Sequence, residues 1–219
     1  MIKALIFDLD GTLANTEIQH YEAWEKALMN NGVDQLPLET FMDYVGTSNE
    51  KIAGDYIESD NISKNIAELV REKQIIYLDL IPEIELFPGT RKIIDRYHTT
   101  CRLAIASSSH KKEIMILLKS QELESYFDVV IGGDMVKHKK PDPEIYLKAQ
   151  RRLGVSPQEC IAFEDSEHGL NSAKNAGLYG VAIPNKFTQN HNFSRADLIL
   201  TSLAEMNNEM ITTLLHHAP

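Results

Sequence analysis

Two aspartates, Asp8 and Asp10, sit two residues apart at the end of the apolar run Ile2-Lys3-Ala4-Leu5-Ile6-Phe7, and Gly11-Thr12 follows them. The run reads as a buried strand. Side chains along a strand alternate between faces, so continued extension points both carboxylates the same way. Like charges that close repel unless a cation or a shared proton lies between them. The pair therefore offers a nucleophile, a second acid or base, and half of a magnesium site within three residues.

Three later segments carry residues of matching chemistry. Ser107-Ser108-Ser109 offers hydroxyls and backbone N–H groups just ahead of a helical pattern, a suitable cradle for an anion. Lys137-His138-Lys139-Lys140-Pro141-Asp142-Pro143 fixes a lysine in a proline-restricted turn, and Glu164-Asp165-Ser166 supplies a second pair of acids. Each alone has an ordinary explanation as helix cap, turn or solvated surface pair. All four, in order and each after a strand, make a set: acids for a hard cation, a hydroxyl, and an ammonium for a phosphoryl group.

The elements that must position this set change character along the chain. From residue 16 to about 80 only helical periodicity occurs. Ile18, Tyr21, Trp24 and Leu28 share one helix face, which Thr16 can cap and Gly32 can end. Phe41, Met42 and Val45 suggest a second helix, Ile52, Ala53, Tyr56 and Ile57 a third, and Ile66, Leu69, Val70, Lys73, Ile76 and Tyr77 a longer fourth. After Pro88-Gly89 strands at 102–106, 127–131, 160–163, 179–183 and 197–200 alternate with helices at 110–120, 143–153 and 167–176. Such alternation implies right-handed crossovers and a parallel sheet. The fold class is therefore α/β: a doubly wound parallel sheet over residues 1–14 and 87–219, interrupted by an all-helical domain over 15–86. Ligands of open parallel sheets bind outside the carboxyl ends of the strands, so an insertion leaving strand one there is expected to act as a lid. Leu13-Ala14 and Leu86-Phe87-Pro88 would be its hinge.

The bulk numbers narrow the class. The 219 residues include 43% hydrophobic, enough for a real core, and carry a formal charge of -10. That charge argues against nucleic-acid binding, so any affinity for an anion must come from a local site. Cys101 and Cys160 have no metal-like spacing and read as reduced thiols. No apolar stretch approaches the ~18 residues a membrane span needs, and the N-terminus enters a strand directly. A soluble, cytoplasmic, monomeric protein acting on a small molecule is expected. No Gly-x-x-x-x-Gly-Lys-Ser/Thr segment occurs, which excludes a P-loop enzyme. His216-His217 reads as a chain end, and Gly132-Gly133-Asp134 as a turn.

On these motifs the chain resembles the haloacid dehalogenase superfamily of phosphotransferases, in the branch with a helical cap after the first strand. Asp8-Leu9-Asp10-Gly11-Thr12 is the most specific signature, with Ser107, Lys140-Pro141 and Glu164-Asp165 matching the three later motifs. The resemblance covers essentially the whole chain and is strongest to the beta-phosphoglucomutase-like subgroup. It implies that Asp8 attacks phosphorus and that Asp10 serves as acid and then base. It also implies that Ser107 and the backbone around Ser108 hold phosphoryl oxygens while Lys140 neutralises charge. Magnesium would bind the Asp8 carboxylate, the Asp10 backbone carbonyl and Asp165, with Glu164 as a ligand or a support. His20 matches a cap histidine that assists Asp10, and Gly46-Thr47-Ser48-Asn49 matches the cap's specificity loop. His20 and Trp24 lie one helical turn apart, and Lys73 could reach a substrate phosphate or lie in solvent.

The resemblance also carries departures. The mutases of the subgroup hold the distal phosphate of a bisphosphorylated sugar with an arginine where this chain has Asn49. The subgroup's usual Asp is replaced by Asn15 ahead of Thr16-Glu17. A dehalogenase would lack the acid at Asp10. These features imply a magnesium-dependent phosphatase of a small phosphorylated metabolite, a sugar phosphate above all, with beta-phosphoglucomutase-type transfer as the alternative.

Overall fold

The structure is a computed structural model and describes residues 1–44 and 47–216, with no account of the side chains at 215 and 216. The chain divides into two compact units, Met1–Asn15 with Glu85–Pro219, and Thr16–Ile84.

The first unit is built on six parallel strands: β1 (Ala4–Phe7), β2 (Arg102–Ala106), β3 (Val129–Ile131), β4 (Cys160–Glu164), β5 (Tyr179–Ala182) and β6 (Leu198–Ile199). Their order is β3-β2-β1-β4-β5-β6, that of a doubly wound sheet. β1 and β4 are buried along their whole length, as central strands covered on both faces must be. Ala104 of β2 and Ala162 of β4 flank Ile6 of β1 in register, with Ala4 two residues earlier on the same face of β1. The small alanine side chains leave room for the Ile145, Tyr146, Ala149 and Leu153 face of a helix that packs in the same core cluster. β1 lies between β2 and β4, so the chain crosses to opposite sides of it. This reversal opens the crevice in which such sheets bind ligands.

The second unit contains α1 (Glu17–Met29), α2 (Leu38–Met42), α3 (Asn49–Asp60) and α4 (Ile66–Leu80). The first unit adds α5 (Thr90–Tyr97), α6 (Lys111–Ser120), α7 (Glu144–Leu153), α8 (Glu167–Asn175) and α9 (Asn208–His216). Sequence periodicity does not anticipate α5 or α9. α5 is only eight residues long, and its buried Ile93, Ile94 and Tyr97 make too short a pattern to separate from a loop. β3 and β6 are shorter than expected, because pairing with β2 covers only Val129–Ile131 and pairing with β5 only Leu198–Ile199. The division falls just inside the expected boundaries on the helical side. Asn15 N–H bonds the Glu85 carbonyl and Ala14 bridges Leu86, so these linker residues stay with the sheet.

Thr16 does not cap α1 through its side chain. Its backbone is already helical (φ -86°, ψ -15°), its carbonyl takes the His20 N–H, and its buried hydroxyl has no hydrogen-bond partner among the described residues. Gly32 does mark the stop, with φ +92° two residues beyond the cap at Asn30. Of the second expected helix, Phe41 and Met42 lie in α2, while Val45 falls outside the described residues. Among the described residues no helix is long and apolar enough to cross a membrane.

The helical unit closes around Trp24, Leu28, Leu36, Phe41, Ile52 and Leu69, and it also buries a cation. Lys73 is 0% exposed, not solvated. Its ammonium lies 4.6 Å from the ring centroid of Tyr77 and 6.0 Å from that of Trp24, where the ring faces attract it. Nζ also meets His20 Nδ1 at 2.7 Å. An ammonium has only donors, so the imidazole must accept there and be neutral. The His20 ring stacks on Tyr77 at 4.0 Å. Burial first, and the Lys73 charge second, hold His20 well below its ordinary 6.5.

As pH falls through 6.5 the unfolded chain takes up a proton at this histidine that the folded chain refuses, so stability falls with it. His20→Gln keeps an acceptor for Lys73 and removes the titration. Thermal melts between pH 7 and 5 should show a smaller acid-induced loss of Tm in that variant than in the wild type. Parallel curves would show that His20 does not carry the effect.

Candidate active site

The expected set of chemical residues meets at the carboxyl ends of β1, β2 and β4. Asp8 follows β1 directly, its N–H bonded to the Phe163 carbonyl at 3.0 Å, which sets its height against β4. The chain then folds back on itself. The N–H groups of Leu13 and Ala14 both reach the Leu9 carbonyl at 3.0 Å, and Gly11 N–H bonds the Ala14 carbonyl at 2.9 Å. Extension therefore stops at Asp8, and it is this turn, not strand alternation, that carries Asp10 toward β2.

Asp8, Glu164 and Asp165 are all buried, with ligand oxygens within 4.8 Å of one another. Lys140, joined to Pro141 by a cis peptide bond, places Nζ 2.6 Å from both Asp8 Oδ1 and Glu164 Oε1. Tyr146 on α7 donates its hydroxyl to the same Glu164 oxygen, and its ring lies 5.3 Å from the ammonium. Burial and the neighbouring Glu164 push the Tyr146 phenol well above its ordinary range, so it stays a donor. Burial would lower Lys140, but Asp8 and Glu164 outweigh it and hold the ammonium above its usual range. Burial dominates at Asp8, which sits well above the usual carboxylate range. Lys140 opposes that rise, while Glu164, Asp10 and Asp165 add to it.

Asp10 turns its carboxylate to the serine segment. Ser107 Oγ and Ser109 Oγ both donate to Asp10 Oδ2, at 2.8 and 2.7 Å. Ser107 Oγ accepts the Ser109 N–H at 3.0 Å. Asp10 Oδ1 is buried with no hydrogen-bond partner among the described residues, an uncommon state for such an atom. The serine cradle is more occupied than the bare segment suggests, since the His110 N–H also has a partner in Glu113. Gly132 and Gly133 do more than turn the chain. A Cβ on Gly133 would lie 2.2 Å from the Ser108 carbonyl, so this segment presses against the cradle from below. Asp134 holds the Lys111 N–H at 2.8 Å.

The cap candidates gather within the helical unit. Trp24, buried in its core, donates Nε1 to Asn49 Oδ1 at 3.3 Å, and Lys73 joins Trp24 to His20. Ser48 is the N-cap of α3, accepting the Lys51 N–H, and Thr47 Oγ1 donates to the Tyr44 carbonyl. Gly46 lies outside the described residues.

The donor set fits a hard divalent cation: three buried carboxylates face one ammonium, and that ammonium is bonded to Asp8 and Glu164. Glu164 is the least suited to ligation, since Oε1 already accepts from Lys140 and Tyr146. Asp165 is held differently, by Asn185 Nδ2 at 2.8 Å from its Oδ2. Tyr146 and Asn185 escape motif reading, as does the bond of Ser109 to Asp10. Applying the strand-end rule to β5 as well leads to Asn185, and Tyr146 follows from asking what a buried Lys140–Glu164 pair packs against.

Comparison with known proteins shows the family. The model of the family "Haloacid dehalogenase-like hydrolase" matches residues 5–183. The chain is 32% identical to the fructose-1-phosphate phosphatase YqaB of Escherichia coli, over 82% of this chain and 95% of that one. It superposes with a TM-score of 0.85 on CbbY from Rhodobacter sphaeroides, solved in complex with xylulose-(1,5)-bisphosphate, at 33% identity over 94% and 97% of the two chains. A beta-phosphoglucomutase from Clostridium difficile gives a TM-score of 0.80 at 28% identity over 99% and 98%. A family match across most of the chain, on top of the four strand-end motifs, means that this protein belongs to the haloacid dehalogenase-like hydrolases.

Proposed function

We propose that this protein is a magnesium-dependent phosphatase of a small phosphorylated metabolite, a sugar phosphate in the first instance, working through an aspartyl phosphate on Asp8. The observation that carries this reading is the buried Asp8–Lys140–Glu164 arrangement beside Asp165, with Asp10 directed to Ser107. The sugar-phosphate names of YqaB and of the ligand in CbbY support the substrate class. The helical unit is read as the cap, moving on the paired linkers Leu13-Ala14 and Leu86-Phe87.

Asp8 and Asp165, with the Asp10 backbone carbonyl, would hold the cation, which supplies positive charge to the transferring phosphoryl group and to the carboxylate nucleophile. The Asp8 carboxylate attacks phosphorus, and a bond from carboxylate oxygen to phosphorus forms as the substrate's ester P–O bond breaks. Asp10 gives its proton to the leaving oxygen, then takes one from the water that hydrolyses the acyl phosphate. Such proton transfer contributes on the order of 10^2 to 10^4-fold. Lys140 removes part of the repulsion between an anionic substrate and Asp8. Glu164 and Tyr146 keep that ammonium in place. His20, neutral with Nδ1 accepting from Lys73, carries its proton on Nε2 and can donate a hydrogen bond from there.

Likeness to the Clostridium difficile enzyme favours a second reading, phosphoryl transfer between positions of a hexose phosphate. Asn49 counts against it. Its amide is neutral and bonded to Trp24, so it gives no charged clamp for a distal phosphate. Both cysteines are free among the described residues, Cys160 buried and Cys101 partly so, which supports a reducing compartment.

With Mg2+ and a panel of phosphorylated metabolites, free phosphate should appear with at least one sugar phosphate. Conversion of beta-glucose 1-phosphate to glucose 6-phosphate without phosphate release would establish the mutase reading instead. Asp8→Asn should fold normally by circular dichroism yet lose turnover by about 10^4-fold or more. Substantial residual activity in that variant would remove Asp8 as the nucleophile. Chelation with EDTA should abolish phosphate release, and excess Mg2+ should restore it. A rate indifferent to EDTA would exclude the cation from the reaction.

A further inference from the structure

The two walls of the candidate cation site come from different strand ends, and one uncharged side chain joins them. Asn185, just beyond β5, donates Nδ2 both to Asp165 Oδ2 at 2.8 Å and to the Gly11 carbonyl at 3.1 Å. Asn185 is itself fixed from every side. Its Oδ1 accepts the Phe187 N–H at 2.8 Å, its own N–H goes to Thr188 Oγ1 at 3.0 Å, and the Thr188 N–H returns to its carbonyl at 3.1 Å. The Phe187 donor also settles which end of the amide faces Asp165, since only the oxygen can receive it. Packing around this contact is tight. A Cβ on Gly11, at φ +80°, would lie 2.4 Å from Asp165 Oδ2 and 2.9 Å from Asn185 Nδ2.

We propose that Asn185 is a positioning residue for the divalent cation. By pinning one oxygen of Asp165 it fixes the plane of that carboxylate. By holding the Gly11 carbonyl it ties the Asp8–Asp10 turn to the loop after β4, so the two sides of the site keep one spacing. A neutral donor is the group that can do this. A lysine there would compete with the cation for the same oxygens, and a carboxylate would add another like charge to a crowded cluster. Residues that orient metal ligands in this way typically alter affinity about 10 to 100-fold when replaced.

This inference rests on Asp8 and Asp165 being cation ligands, and the test separates the two claims. Mg2+ binding to the full chain without substrate is measured by isothermal titration calorimetry for wild type, Asp165→Asn, Asn185→Ala and Asn185→Ser. Wild-type binding that Asp165→Asn removes supports the ligand assignment. Both Asn185 variants should then bind Mg2+ about 10 to 100-fold more weakly. At saturating Mg2+ their kcat should return near the wild-type value, whereas a merely structural defect would lower kcat and leave the Mg2+ Kd unmoved. A Kd within about threefold of wild type in either folded variant overturns the proposal. No Mg2+ binding by the wild type overturns the cation reading, and this proposal with it. A third measurement needs no variant: Mg2+ should slow hydrogen exchange of the wild-type Phe187 amide, which Asn185 holds. An unchanged rate overturns the coupling even if both variants fail to fold.

Discussion

Three carboxylates buried against a single ammonium set the terms for everything else in the sheet unit. Placing Asp8, Glu164 and Asp165 out of water costs free energy that only pairing, hydrogen bonding or a bound cation can offset. Each acid is handled differently. Glu164 commits one oxygen to Lys140 and Tyr146, Asp165 is anchored by Asn185, and Asp8 shares Lys140 while burial holds it well above the carboxylate range. Packing apolar residues in place of such a cluster would favour stability, so its presence reflects chemistry.

The doubly wound sheet is what makes the cluster possible. Only Glu164 and Asp165 are neighbours in the chain; Asp8, Lys140 and Glu164 are brought together by strand order. β1 pairs with both β2 and β4, so the ends carrying Asp8, Ser107 and Glu164 are immediate neighbours. The helical unit handles its own buried charge by other means. Lys73 has ring faces and an imidazole nitrogen around it, which stabilise an ammonium while leaving that imidazole neutral. A buried cation over aromatic rings has no signature in helical periodicity, where Lys73 reads as one more position on the face of α4.

What sequence could and could not convey follows from range. Asp8-Leu9-Asp10, Ser107, Lys140 and Glu164-Asp165 were legible because each motif is contiguous and each follows a strand. The strands themselves were legible because central parallel strands are continuous apolar runs. The division of labour among the acids was not legible. Whether Glu164 ligates or supports depends on Tyr146, a residue on the preceding helix α7, and the orientation of Asp165 depends on Asn185, 20 residues on. Local rules failed where tertiary context took over. Thr16 is a good cap residue by type, but its backbone is already helical and its hydroxyl is buried without a partner among the described residues.

The geometry of Asp10 adds a constraint on the order of events. Ser107 has one hydroxyl proton, and in this structure it is given to Asp10 Oδ2. A phosphoryl oxygen that takes the same proton must displace that bond. Ser109 still donates to the same carboxylate oxygen, so Asp10 would lose one anchor and keep the other. Occupancy of a phosphoryl cradle at Ser107 and the full anchoring of Asp10 would therefore exclude each other, because one serine proton serves either the phosphoryl oxygen or the carboxylate beside it.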